Sequence, residues 1–346
     1  MRSKKKVIGN ALFLAAVFVL TLYGVFHGED LGAMLDAIRA ADKKMLVPGV
    51  MLVIVFIWGE SVILWYMMRS FSIRVKKRIC FLFSSVGFFF SCITPSATGG
   101  QPMQIYYMKK EKIPIPLATV ILMIVTITYK LVLVVIGLGV LCFGQGFMHQ
   151  YLEGILPVFY LGVMLNVFCV SFMTLLVFHP VLAEVILTKG MKWLEGLRFL
   201  KHKEERCRKL RESMQVYRET AVYLREHVRV ILWVILISFL QRLALFSVTY
   251  MVYLSFGLQG AGFWEVVLLQ AVISVSVDML PLPGGMGISE ALFLRIFPSV
   301  FLTMTLPAMV LSRGLGYYSQ LLISAVFTVV AHLYYTMRKE TSDTKS

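Results

Sequence analysis

Charge is what this sequence has least of. Asp, Glu, Lys and Arg make up 15% of its 346 residues, where soluble domains carry about a quarter. Hydrophobic residues make up 58%, and the mean hydropathy is +0.79. A water-soluble fold of this length has too little interior to hide that much apolar surface, so the solvent around most of the chain is lipid. Cysteine supplies no framework: Cys80, Cys92, Cys142, Cys169 and Cys207 are scattered, with no Cys-x-x-Cys pair. Four of them lie in or beside apolar runs, which reads as reduced filler. The six histidines are equally dispersed, and no metal-ligand spacing occurs, so neither a metal nor a cofactor is expected. There is no Asn-x-Ser/Thr sequon, no Ser-His-Asp set, no convincing carboxylate pair and no kinase signature. The glycine pair at Gly99-Gly100 is followed by Gln101-Pro102 and so lacks the Gly-Lys-Ser/Thr ending of a phosphate loop. Nucleotide hydrolysis has no apparatus here.

What is present is a series of apolar runs. About 20 residues are needed to span the hydrocarbon core as a helix, and six stretches reach that length: 7–26, 45–68, 117–143, 155–178, 229–256 and 305–335. The first follows Arg2, Lys4, Lys5 and Lys6 and has no small-residue cleavage site after it, which predicts a retained signal anchor. Two shorter apolar segments differ. Residues 79–93 end at Thr94-Pro95-Ser96-Ala97-Thr98-Gly99-Gly100-Gln101-Pro102, and residues 264–280 end at Pro281-Leu282-Pro283-Gly284-Gly285-Met286-Gly287. Proline and paired glycines do not continue a helix comfortably, so each segment reads as a half-helix running into a broken turn.

The net charge of +15 is spread through the links. That pattern suits orientation at an anionic membrane face rather than nucleic-acid binding. The N-terminus, residues 69–78 and residues 179–228 are rich in Lys and Arg, whereas residues 144–154 have none. The positive-inside tendency places the first three in the cytoplasm and the last outside. An odd number of crossings must then lie between residues 78 and 144; two full spans would break the rule, so 79–93 is expected to enter and return, leaving Lys109, Lys110 and Lys112 on the cytoplasmic side. The same logic makes 264–280 a hairpin from the outer face that returns through 288–297, with the C-terminus cytoplasmic. Alternatively those two segments form a crossing together, which moves the C-terminus. The expected fold is an all-α integral membrane protein, a single polytopic domain of about six full crossings plus two re-entrant half-helix hairpins. Opposed broken helices, one per half, point to an inverted repeat with a site near the midplane. The polar segment 179–228 places Leu210, Met214, Tyr217, Ala221 and Leu224 on one helical face and Arg208, Lys209, Arg211, Arg218 and Arg225 on the other. It predicts a basic amphipathic helix that lies on the membrane or caps the bundle. A shorter helix, with Leu31, Met34, Leu35 and Ile38 on one face, is expected on the outer surface.

Ionisable residues at membrane depth are costly and are functional candidates. Lys130 and Arg242 sit at the centres of their spans, and Arg313 lies four residues before Tyr317 in the last one. Glu60, Asp278, Glu290 and Arg295 also lie at depth. One reading pairs the cations with the carboxylates as structural glue. The other has Lys130, Arg242 and Arg313 line a cavity for an anionic group, with Asp278 or Glu290 able to carry a proton. Each broken turn exposes backbone N–H groups, and the helix opening at Ile288-Ser289-Glu290 aims its positive end at the second turn.

These residues also carry a likeness. Residues 95–102 (PSATGGQP), then residues 282–291 (LPGGMGISEA), then Arg313 with Tyr317 resemble the flippase-like transmembrane region of bacterial lysylphosphatidylglycerol synthases, and the likeness covers nearly the whole chain. It implies that Gly99 and Gly100 in the first turn, Pro283, Gly284, Gly285, Gly287 and Glu290 in the second, and Arg313 shape a central cavity and hold a lipid headgroup. The large synthases carry a soluble domain that transfers lysine from lysyl-tRNA to phosphatidylglycerol. This sequence ends at Ser346, which leaves no room for one. The expectation is therefore a lipid translocase of the bacterial cytoplasmic membrane, not an enzyme by itself, acting on an anionic or aminoacylated phospholipid. The alternatives are a phosphatidylglycerol lysyltransferase, alone or with a separate soluble partner, and a membrane scaffold.

Overall fold

A computed structural model describes residues 31–179, 181–186, 188–189 and 203–343. The crossing expected at 7–26 lies outside the described residues. Lipid offers no hydrogen-bond partner to the backbone, so apolar runs of this length must be helical, and among the described residues there are helices and turns but no strand. In chain order the principal helices are α1 (Leu31–Ala40), α2 (Lys43–Ser70), α3 (Lys77–Ile93), α4 (Gly100–Lys110), α5 (Ile115–Phe143), α6 (Leu156–Phe178), α7 (Lys203–Glu226), α8 (Val228–Ser255), α9 (Phe263–Val277), α10 (Ile288–Ile296), α11 (Thr305–Arg313) and α12 (Ser319–Asp343). Five segments are long and apolar enough to cross a membrane: Lys43–Ser70, Ile115–Phe143, Gln145–Phe178, Val228–Ser255 and Pro298–Arg338. They coincide with five of the runs read from the sequence. Trp58, Val135, Phe168, Leu232, Leu322 and Val329 all stand exposed on the outside, the reverse of a soluble fold and the surface expected of a multi-pass membrane protein.

The centre is built by close helix approach. α2 lies along α8, and Gly59 faces the stem of Gln241 so closely that an added Cβ would stand 3.0 Å from its Cγ. Gln241 Nε2 donates to the Phe56 carbonyl at 2.9 Å. On the other side, Gly162 of α6 lets α9 approach until a Cβ there would be 2.4 Å from the Val275 carbonyl oxygen. Asn166 Nδ2 donates to that same oxygen at 3.1 Å. Small residues that admit a neighbour's backbone, reinforced by amide hydrogen bonds, are how helices associate where lipid removes the hydrophobic drive.

Two helical hairpins, α3–α4 and α9–α10, point toward each other, and their turns touch at residues 95–97 and 283–285. The first starts and ends at one pole. There Lys77 lies over Trp65, Arg338 donates to Glu111 at 2.7 Å, and Tyr223 Oη donates to the Ser70 carbonyl at 2.8 Å. The second starts and ends at the opposite pole, where Tyr151 Oη donates to Glu265 and Arg295 reaches the Gly154 carbonyl at 3.4 Å.

α7 packs against α5, α6 and α8. Met214, Tyr217, Ala221 and Leu224 are buried under it, and Tyr217 Oη donates to the Leu176 carbonyl at 3.0 Å. Of the two positions the sequence left open, this helix takes the one on the bundle. Arg218 faces outward in an ion pair with Glu184. α1 leans on α11 and leaves Leu35 exposed.

Candidate functional site

A cavity of about 300 Å³ lies where the two turns meet. Each turn is fixed by local chemistry. In the first, Thr94 Oγ1 donates to the Phe90 carbonyl at 2.6 Å and accepts from the Gly99 N–H at 2.9 Å. Gly100 packs so tightly on α3 that a Cβ would fall 2.6 Å from the Gly87 carbonyl oxygen. In the second, Gly284 has φ +57°, and a Cβ there would lie 2.1 Å from the ring of Tyr317; no L-side chain fits that space or favours that backbone. Glu290 is the keystone of this turn. Its Oε2 accepts from the Gly287 N–H at 2.8 Å and from Ser289 Oγ at 2.9 Å, capping α10. Its Oε1 accepts from Arg313 Nε at 2.8 Å, while Arg313 Nη2 donates to the Gly284 carbonyl at 3.1 Å. Tyr317 Oη donates to the Cys92 carbonyl at 2.9 Å and so joins the last span to the end of α3. The chain between Arg313 and Ser319 is a π-helical turn, a local widening that often re-aims side chains at functional sites.

The three cations within the apolar spans have different surroundings. Lys130 is buried, does not line the cavity, and forms an ion pair with Asp278, which does line it. Arg313 lines the cavity but is committed to Glu290. Arg242 also lines it, has no carboxylate within ion-pair distance among the described residues, and keeps a buried Nε without a hydrogen-bond partner. Its guanidinium lies over the ring of Tyr129 at 4.4 Å and near Phe56 at 5.4 Å. Aromatic faces hold a cation without using its donors, so the fork of Arg242 is open to an anion. Gly285 and Tyr317 complete the set of sequence-read residues on the cavity wall, with Gly284 beside them. Gly99, Gly100, Gly287 and Glu290 lie outside that wall and build the turns, and the turn itself opens at Pro283. Arg295 instead reaches the Gly154 carbonyl in the link before α6.

Sequence reasoning passed over the rest of the wall. Gln101, Gln104, Gln241, Gln270 and Gln320 all line the cavity, five of the nine glutamines in the chain, together with Thr126 and Tyr129; Glu60, read in the sequence as a charge at depth, lines it as well. Gln104 Nε2 donates to Glu60 at 2.6 Å, Gln101 to Thr126, and Gln270 accepts from Thr249 at 2.9 Å. Amides within apolar spans are costly unless they face protein or water, so their concentration here marks a hydrogen-bonding interior. A second space of about 140 Å³ shares Gln270, Arg313, Tyr317 and Gln320 with the first and lies toward the other hairpin's helices. The arrangement can bind an anion and hydrogen-bond its substituents.

The family model described as the lysylphosphatidylglycerol synthase TM region matches residues 7–324. The chain belongs to this family. A search among curated proteins finds no match. The two glycine turns that carry the likeness in sequence are the two that meet at the cavity, and membership of the synthase family ties this multi-pass membrane protein to membrane lipids.

Proposed function

We propose that the chain is a lipid translocase that passes a phosphate-bearing headgroup between leaflets through the central cavity while the acyl tails remain in lipid. The observation that carries this reading is a cavity cation with no carboxylate in ion-pair distance among the described residues: Arg242, stacked on Tyr129 and bordered by amides, where the turns of two hairpins meet. In this reading the hairpins are re-entrant and related as an inverted repeat, the arrangement that transporters use to place a site midway between faces. The basic pole with α7 and Arg338 is the cytoplasmic side of a bacterial plasma membrane. Lys130–Asp278 and Glu290–Arg313 hold the walls, and Arg242 binds the phosphate.

Native mass spectrometry of gently extracted protein tests the site. An anionic phospholipid is expected to co-purify with the wild type and to be lost from Arg242→Ala. Retention of the same lipid by Arg242→Ala contradicts the assignment. The same preparation separates translocation from aminoacyl transfer: lysyl-tRNA and phosphatidylglycerol yield no lysylated lipid in this reading, and product formed by the chain alone overturns it.

A further inference from the structure

Among the described residues the ionisable groups around the cavity balance, and one carboxylate in that balance forms no ion pair with a cation. Lys130 is matched by Asp278, and Arg313 by Glu290. Arg242 and Glu60 remain. Glu60 lines the cavity and accepts from a neutral amide, Gln104 Nε2, at 2.6 Å. Arg242 is held by aromatic rings and forms no ion pair with Glu60. The other titratable groups facing this space leave the balance unchanged: Tyr129 from α5, Cys92 from α3 and Tyr317 from the last span are neutral, and Asp278 at the end of α9 is paired. The polar remainder of the wall is largely amide and stays uncharged at every pH.

An anion that enters beside Arg242 adds a negative charge to a site of low dielectric. The ligand and Glu60 then share one guanidinium, and two like charges so placed disfavour each other. A proton on Glu60 restores neutrality, and the Gln104 amide can present its oxygen to the new O–H. We propose that Glu60 takes up a proton when a phosphate-type anion binds at Arg242, so that headgroup and proton cross together and without net charge. The proposal rests on the translocase reading for the crossing, but the linkage of the two binding events stands on the cavity alone. Linkage is reciprocal: the anion favours the protonated acid, and acid conditions favour the anion. Affinity is therefore highest at low pH and falls by up to about tenfold per pH unit as Glu60 of the free protein gives up its proton.

Titration calorimetry of the purified full chain with a short-chain phosphatidylglycerol, in two buffers of different ionisation heat at one pH, counts the protons. At a pH alkaline enough for Glu60 of the free protein to be ionised, the wild type is expected to take up close to one proton per headgroup bound. Glu60→Gln, fixed in the neutral form, is expected to bind with no uptake and with an affinity flat in pH, and Glu60→Asp to restore uptake. Binding by the wild type without proton uptake, or equal uptake by Glu60→Gln, overturns the proposal, and absence of binding overturns both it and the anion site. In proteoliposomes a pH gradient is expected to drive leaflet transfer toward the alkaline side, while a potassium-diffusion potential leaves it unchanged. Transfer that follows the potential and ignores the pH gradient contradicts the shared crossing. Proton-linked binding with no leaflet transfer contradicts translocation and leaves the linkage in place.

Discussion

At the scale of single residues, the site depends on which buried charges have partners. Glu290 caps α10 and also compensates Arg313. Glu290→Gln removes the charge and leaves the arginine buried at a cost of about 3 kcal/mol, whereas removing both charges together is expected to recover much of it. Thermal unfolding in mild detergent of Glu290→Gln, Arg313→Met and the double variant measures this, and a double variant no better than the sum of the two singles contradicts the pairing. Gly284→Ala is expected to cost about 1–3 kcal/mol in backbone strain alone, with the clash against Tyr317 in addition. A melting temperature equal to wild type would show that the turn relaxes. Lys130, Arg242 and Arg313 were visible in the sequence as charges out of place. Their partners were not, because Asp278 is 148 positions from Lys130 and only the fold brings them together. The glutamine lining went unread because glutamine carries no charge to draw attention. The available signal was position: five amides at membrane depth, all facing one space.

At the scale of elements, the apolar runs were legible because lipid imposes a length and a helical backbone on any segment it surrounds. The broken turns were legible because Pro95 with Gly99-Gly100 and Pro283 with Gly284-Gly285 interrupt those runs. Which way each hairpin faces relative to the bilayer was argued from lysines and arginines in the links. Single cysteines at Arg74 and Lys112, labelled in sealed inverted vesicles by an impermeant maleimide, test the first hairpin. Both are expected to react from the cytoplasmic side, and reaction from opposite sides means that 79–93 crosses. The seating of α7 followed from Met214, Tyr217, Ala221 and Leu224 recurring on one face, but whether lipid or protein covers that face is decided by tertiary packing that periodicity does not record. Leu224 is fully buried there, so Leu224→Ala is expected to cost about 2–4 kcal/mol and to expose residues 203–226 to limited proteolysis. Unchanged protease resistance would place this face elsewhere.

At the scale of the whole molecule, the chain turns many large apolar side chains outward, while Glu60, Arg242, Asp278 and Arg313 stand together around one cavity. The lipid-facing surface of the spans needs no charge, the interior keeps a few in fixed places, and most of the charged residues stand in the links. The turns of two hairpins meet at the cavity. The most direct measurement is leaflet transfer of a fluorescent phosphatidylglycerol in proteoliposomes, followed by reductive quenching from outside, for the wild type and for Arg242→Ala protein that melts at the wild-type temperature. The account predicts transfer well above protein-free vesicles for the wild type and a loss of about tenfold or more for Arg242→Ala, the cost of one charge-assisted contact to phosphate. Equal rates for the two proteins, or a wild-type rate no higher than that of empty vesicles, would contradict it.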